Sequence, residues 1–307
     1  MWNYQQQWQL GQPYDKLAVE IIYHWGCGLI YPLAYLITSL FMLFLLANIA
    51  AATLYTALGI YLARQLLQQR TLNLPTFLAG VAVALAIHAV GIYGVSVKPE
   101  GIQLSFFTVS SQIFWVINAI VLLSSLRKAL HNLFIFLLPC SAIAITTTLF
   151  SHTQSTILQL NYTLACHVIL SILAYSLLTI ATLQAILLSY QNRHLKNRSG
   201  LQYLRYLPPL QTMEALLFEF VLVGELLLTL SIVSGFIFLD NIFAQHLMHK
   251  TVFSMAAWLV YGFLLFGKYK MGWRGNTAIR WTLAGFLFLM LAFFGSKLVL
   301  EIILQRV

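Results

Sequence analysis

From Gly28 onward the sequence reads as long apolar runs, each closed by a short polar cluster. Counted from Met42, the runs are Leu45 to Leu62, Leu74 to Val95, Val109 to Leu126, Leu133 to Phe150, Leu164 to Tyr190, Ala215 to Leu239, Val252 to Phe266 and Ile279 to Leu300. Give or take a few residues at each end, these are the lengths a helix needs to cross a hydrocarbon core of roughly 30 Å. The punctuation is physical: Asn73, Leu74 and Pro75 open the second run, Lys98 to Gly101 follow it, and Leu207, Pro208 and Pro209 precede the sixth. Backbone polar groups in hydrocarbon must be satisfied within the span, which favours helices, and the ten-residue alternation of a membrane β-barrel is missing. The pattern predicts an all-α polytopic transmembrane helix bundle of about eight spans.

The start of the chain departs from this regularity. Apolar character runs almost unbroken from Gly28 to Ala63, which as one helix would reach over about 50 Å at 1.5 Å per residue. Two alternatives follow: residues 1–41 are an upstream extension before a core of residues 42–307, or they add a ninth span. Gln5, Gln6, Gln7, Asp15 and Glu20 make the segment a poor secretory signal.

Charge sets the orientation of the spans. One set of connections holds Arg64 and Arg70, then Arg127 and Lys128, then Arg193, Lys196, Arg198 and Arg205, then Lys268, Lys270, Arg274 and Arg280. The alternate set holds only Lys98 and Lys250. By the positive-inside rule the first set is cytoplasmic, which puts both ends of the Met42-to-Val307 core on the outer side. With 60% hydrophobic and 8% charged residues, a net charge of +9 reads as topology and contact with anionic lipid. No basic soluble domain is available for nucleic acid.

Candidate chemistry is sparse. No Ser/His/Asp triad pattern, Walker loop, His-Glu-x-x-His or Gly-x-Gly-x-x-Gly cradle occurs, so the chain is not expected to be an enzyme. Cys27, Cys140 and Cys166 form no Cys-x-x-Cys pair and no Cys-x-x-Cys-His haem attachment site, and buried packing is their expected role. Three histidines, His88, His167 and His249, fall toward the outer ends of three spans, and same-side imidazoles suit a metal or haem iron at a membrane face. For each the alternative is a hydrogen-bonded interfacial ring, above all for His88, which lies about two turns inside its span. His246, one turn before His249, could replace it.

Lys297 lies toward the outer end of the last span, where it either pairs with Glu301 at i to i+4 or meets an anionic propionate. Glu225 falls mid-span, to be hydrogen-bonded or to take part in proton coupling. Glu214 and Glu219, near the basic side, are expected to pair with arginines. Ser110, Ser111 and Gln112 with Trp115 open the third span, either packing helices closely or lining a pocket.

The carboxy-terminal half carries a resemblance. LPPLQTM at Leu207 to Met213, SIVSGFIF at Ser231 to Phe238, HKTVFSMAAWLVYG from His249, GWRG at Gly272 to Gly275 and AGFLFLMLAFFGSK from Ala284 to Lys297 resemble the cytochrome c assembly superfamily of haem-handling membrane proteins, in particular its YpjD and HemX-like branch. LSFFTVSSQIFW at Leu104 to Trp115 and HVILSILAYSLL at His167 to Leu178 are similar to stretches of the CcsA-type members. The resemblance implies a bacterial inner-membrane protein that binds haem without covalent attachment, as a b-type haem. It implies His167 as an axial iron ligand and a role in cytochrome c assembly or another haem-linked process, beside lipid and other assembly proteins. Position in the spans, and not the resemblance, makes His249 the candidate second axial ligand, His88 a further candidate and Lys297 the candidate propionate partner.

The departures from the family pattern are specific. The loop between the sixth and seventh spans, LDNIFAQHLMHK, lacks the tryptophans of the family's WWD platform. The chain ends in LVLEIILQRV with no partner histidine, and Leu265 and Phe266 stand where a late seventh-span histidine is expected. Haem binding is therefore carried over by the resemblance and haem delivery is not. A transporter, which would show internal repeats and broken helices, and a membrane scaffold, which needs only helix surfaces, are the alternatives from other classes.

Overall fold

The structure is a computed structural model and describes residues 27–68, 70–98, 101–103, 105–128, 130–150, 157–158, 162–197, 207–238 and 245–295. Its helices are α1 (Cys27–Leu67), α2 (Leu74–Ser96), α3 (Phe106–Ser125), α4 (Phe134–Phe150), α5 (Tyr162–Asn197), α6 (Leu210–Phe238), α7 (Gln245–Met271) and α8 (Asn276–Met290). A π turn, Leu291–Gly295, continues α8. Among the described residues eight helices are long and apolar enough to cross a membrane, the first over Met42–Leu67, so the all-α polytopic bundle read from the apolar runs is the fold. The α1 backbone is helical from Cys27, without a break at Met42.

Local chemistry explains where the elements start. Asn73 caps α2 by accepting from the Thr76 backbone N–H at 3.5 Å, with Pro75 early in the helix where its missing N–H costs nothing. Ser105 does the same for α3, accepting from the Thr108 N–H at 3.2 Å. The turn between α7 and α8 is GWRG, and its two glycines take positive φ, 67° at Gly272 and 55° at Gly275, which other residues adopt only under strain. Trp273, held between them, stacks on Trp281 with centroids 5.7 Å apart.

Several helices outrun the predicted spans. α5 continues past Tyr190 to Asn197, so Arg193 and Lys196 belong to its last turns and not to a loop. α7 likewise carries Lys268 and Lys270 in its last turn. Basic side chains at a helix C-terminus complement its dipole and reach water, so a helix can extend past the hydrocarbon where the apolar pattern stops.

Packing within residues 47–307 is densest between α5 and α6, followed by α7 with α8 and α3 with α4. Gly224 of α6 is what allows the first approach: a β-carbon there would stand 2.8 Å from the Leu178 side chain of α5. On the other half, Trp115 Nε1 donates to the Leu85 carbonyl at 2.9 Å and Gln112 donates to Ser96 Oγ at 2.9 Å. Of the two roles open to the polar cluster at the head of α3, these bonds fulfil helix-to-helix packing. Glu219 pairs with Lys128, and Glu214 with Lys268 at 3.8 Å. The expectation of arginine partners is corrected here, because the basic groups nearest the start of α6 are the lysines that follow α3 and end α7.

The connections after α2 and α4 also pair. Strand β1 (Val97–Lys98) is antiparallel to β2 (Gly101–Gln103), and β2 is antiparallel to β3 (Ile157–Leu158), in the order β1-β2-β3. Ile102 faces both Val97 and Leu158 in register. This small ribbon joins the segment after α2 to the segment after α4.

Candidate functional site

His167 lies in the second turn of α5, near the predicted outer end, and is half-buried. Its Nδ1 is 3.0 Å from the Ser231 carbonyl and 2.9 Å from Ser234 Oγ, both on the last turns of α6. A carbonyl can only accept, so Nδ1 carries the proton. Ser234 Oγ donates in turn to the Ser231 carbonyl at 2.8 Å, which leaves its lone pairs toward the ring. Ser171, one turn along α5, meets Ser231 Oγ at 2.7 Å and bonds back to the His167 carbonyl at 2.8 Å. The neutral ring therefore presents Nε2 as a lone-pair donor, and among the described residues Nε2 has no hydrogen-bond partner. This is how proteins orient an iron-binding imidazole: the remote nitrogen is tied to a carbonyl and the near one is left basic.

Around this ring the structure gathers groups that the sequence reading did not associate with it. Lys250, in the second turn of α7, lies close enough to act on His167 electrostatically. Its ammonium also lies over the Phe293 ring, 5.8 Å from the centroid. Two turns below His167 on the same face of α5, Tyr175 packs against Phe293 with centroids 5.7 Å apart and donates to the Met290 sulfur. Lys250, Phe293 and Tyr175 thus form a connected set of one cation and two aromatic rings between α5, α7 and the end of α8. The signal for the serine pair was present in SIVSGFIF, where Ser231 and Ser234 are three apart on one helix face.

His88 has different surroundings. It is fully buried, and Nε2 meets Ser111 Oγ of α3 at 2.9 Å while Nδ1 meets the Tyr55 hydroxyl of α1 at 3.3 Å. The Tyr55 and His88 rings stand edge-on at 5.6 Å. Both nitrogens are thus engaged, and the residue ties α2 to α1 and α3. The structure does not join His88 to His167 through any shared partner among the described residues.

The backbone of His249 belongs to the first turns of α7, next to Lys250. Its side chain lies outside the described residues, as do His246's side chain and the whole of Lys297. Among the described residues no three His, Cys, Asp or Glu side chains converge. Glu225, near the middle of α6, is 7% exposed and its Oε2 lacks a hydrogen-bond partner among the described residues.

Comparison with known proteins places the chain in a family. The chain is similar to the inner membrane protein YpjD of Escherichia coli (strain K12), 32% identical over 228 residues that cover 72% of this chain and 85% of the relative. It is 30% identical to an uncharacterized 28.8 kDa protein from a nifR3-like 5′ region of Azospirillum brasilense, over 45% of this chain and 52% of that protein. To Protein HemX of Brevibacillus brevis it is 26% identical, over 43% of this chain and 49% of the relative. No solved structure matches significantly. The family model described as cytochrome C assembly protein matches residues 46–304, and with a relative 32% identical across 72% of its length the chain belongs to the cytochrome c assembly protein family.

Proposed function

We propose that this multi-pass protein of the bacterial inner membrane binds a b-type haem non-covalently at its outer face, with His167 Nε2 as an axial iron ligand. The process it serves is cytochrome c assembly or another haem-linked one. The observation that carries the reading is the fixed tautomer of His167, with Nδ1–H held by Ser231 and Ser234 and Nε2 left without a partner among the described residues. Family membership and the YpjD and HemX relatives support a haem-related membrane role.

Each remaining residue has a stated place in this reading. His249 is the proposed second axial ligand, because it lies in the first turns of α7, at the same predicted face of the membrane as His167. Lys250 is proposed to pair with one propionate and Lys297 with the other, since propionates are anions that need cations near the membrane face. Phe293 and Tyr175 offer apolar faces to the macrocycle. His88 is read as a brace, both of its nitrogens being engaged. Haem, once bound, would supply an iron for redox or transfer chemistry, and the protein's part is to hold, orient and shield it. No catalytic step is assigned to the protein itself.

The test is the absorbance of the purified protein after growth with a haem precursor. A Soret band, with the pigment extracted by acidified acetone as a b-type haem, is the expected result. His167→Ala is expected to abolish the band and His88→Ala to retain it per mole of folded protein. No band in the native protein, or a band unchanged in His167→Ala, would remove the proposal.

A further inference from the structure

At the opposite end of α5 from His167 the structure forms a pocket of about 370 Å³ between the last turns of α5 and the first turns of α8. Three cations converge on it: Arg193 and Lys196 from α5 and Arg280 from α8. All three are exposed, and the lining contains no carboxylate. Among the described residues none of the three forms an ion pair; the acids near this side, Glu214 and Glu219, are engaged with Lys268 and Lys128. Three like charges held together without counter-charge repel one another, so the arrangement is favourable when an anion joins it.

Two further features narrow the ligand. Asn192 donates to Asn276 Oδ1 at 2.9 Å, which clamps the two helices at the pocket's rim. α8 begins there with no side-chain cap, since its N-cap is Gly275, so its first N–H groups are left for solvent or an anion. The polarity is also graded. α5 runs toward the cytoplasm and α8 away from it, so Ser189 and Leu283 lie about one helical turn deeper than Arg193 and Arg280. Leu283, 38% exposed, gives the deeper side an apolar surface, while the buried Ile279 backs the pocket at the level of Arg280. A free phosphate would use the cations alone. A molecule with an anionic head and an apolar body uses both zones.

We infer that the pocket between α5 and α8 binds the headgroup phosphate of an anionic phospholipid from the cytoplasmic leaflet, held by Arg193, Lys196 and Arg280. The acyl chains follow the Leu283 side of the pocket into the bilayer. Position, charge and grading all agree with recognition of anionic lipid by a basic pocket between membrane helices.

Native mass spectrometry of the full chain in detergent, titrated with phosphatidylglycerol, phosphatidylcholine or inorganic phosphate, tests this. Phosphatidylglycerol is expected to bind at least about tenfold more tightly than phosphatidylcholine, weakening with salt. The triple variant Arg193→Gln, Lys196→Gln, Arg280→Gln is expected to lose that preference. The variant Arg64→Gln, Arg70→Gln, Arg127→Gln removes equal charge elsewhere on the cytoplasmic side and is expected to keep it. The charge-preserving pair Arg193→Lys, Arg280→Lys guards against misfolding and is also expected to keep most of it. Equal binding of phosphatidylcholine, an unaffected triple glutamine variant, or displacement of phosphatidylglycerol by millimolar inorganic phosphate would overturn the proposal, the last in favour of a free-anion site.

Discussion

The nitrogens of His167 and His88 are used in opposite ways. His167 is half-buried with one nitrogen committed to the end of α6, whereas His88 is fully enclosed with both committed, to Tyr55 and Ser111. Removing the His88 ring leaves two buried hydroxyls unpartnered and opens a cavity, so His88→Ala is expected to cost about 3 kcal/mol of stability. Denaturation in detergent would register it, with haem content per folded molecule unchanged. Ser234→Ala removes one acceptor at His167 Nδ1 but spares the Ser231 carbonyl. Haem affinity is expected to fall by about tenfold, as for other groups that orient a metal-binding histidine; an unchanged haem titration would speak against the orienting role. Glu225 differs again, being a mid-span acid with one oxygen unpartnered among the described residues. A bare carboxylate is costly in hydrocarbon without a counter-charge. Glu225→Gln keeps the shape and removes the ionisable group, so its stability is expected within about 1 kcal/mol of the native protein. That His167 sits near one end of its span was legible in the sequence. Which nitrogen was free was not, because that depends on a carbonyl contributed by a helix 64 residues away.

The helices themselves followed from apolar run length, and their order from the alternation of basic residues. The register between helices did not, since lipid-facing and protein-facing positions in a span are both apolar and periodicity is weak. Close approach is instead written in small residues, and Gly224 shows how. A β-carbon there would stand 2.8 Å from Leu178 Cδ2 and 3.4 Å from Leu177 Cβ, along the interface whose outer end holds His167 against Ser231 and Ser234. Gly224→Ala is therefore expected to push α5 and α6 apart and to destabilise the protein by about 1–3 kcal/mol, the usual cost of overpacking. Haem affinity should fall with it, although residue 224 is about two turns from Ser231. A stability loss with haem affinity intact would mean that the outer turns of α5 and α6 are aligned independently of the packing below them. The C-terminal end of α5 was placed too early for a related reason: its last turns are polar and carry no apolar pattern, yet the helix continues through Arg193 and Lys196 to Asn197.

Across the molecule, side-chain and backbone bonds provide a test of orientation that does not rely on the positive-inside rule. β1 and β2, after α2, pair with β3, after α4, so those two connections share a side. Lys128, after α3, and Lys268, at the end of α7, both pair with acids in the first turns of α6, so these three segments share the other. His167 at the start of α5 bonds the end of α6, and Asn192 at the end of α5 bonds Asn276 at the start of α8. The charge alternation assigns the first group to the outside and the second to the cytoplasm without contradiction at any helix. Thiol labelling decides whether the absolute direction is right. In a background with Cys27, Cys140 and Cys166 changed to serine, Lys98→Cys is expected to react with a membrane-impermeant maleimide in intact spheroplasts, and Arg127→Cys only in inverted vesicles. The reversed pattern would put His167 on the cytoplasmic side and the basic pocket of α5 and α8 outside, which would end both the outer-face haem reading and the cytoplasmic-leaflet lipid reading. Labelling of both positions from one side would break the alternation itself, and with it the span count on which α1 to α8 are ordered.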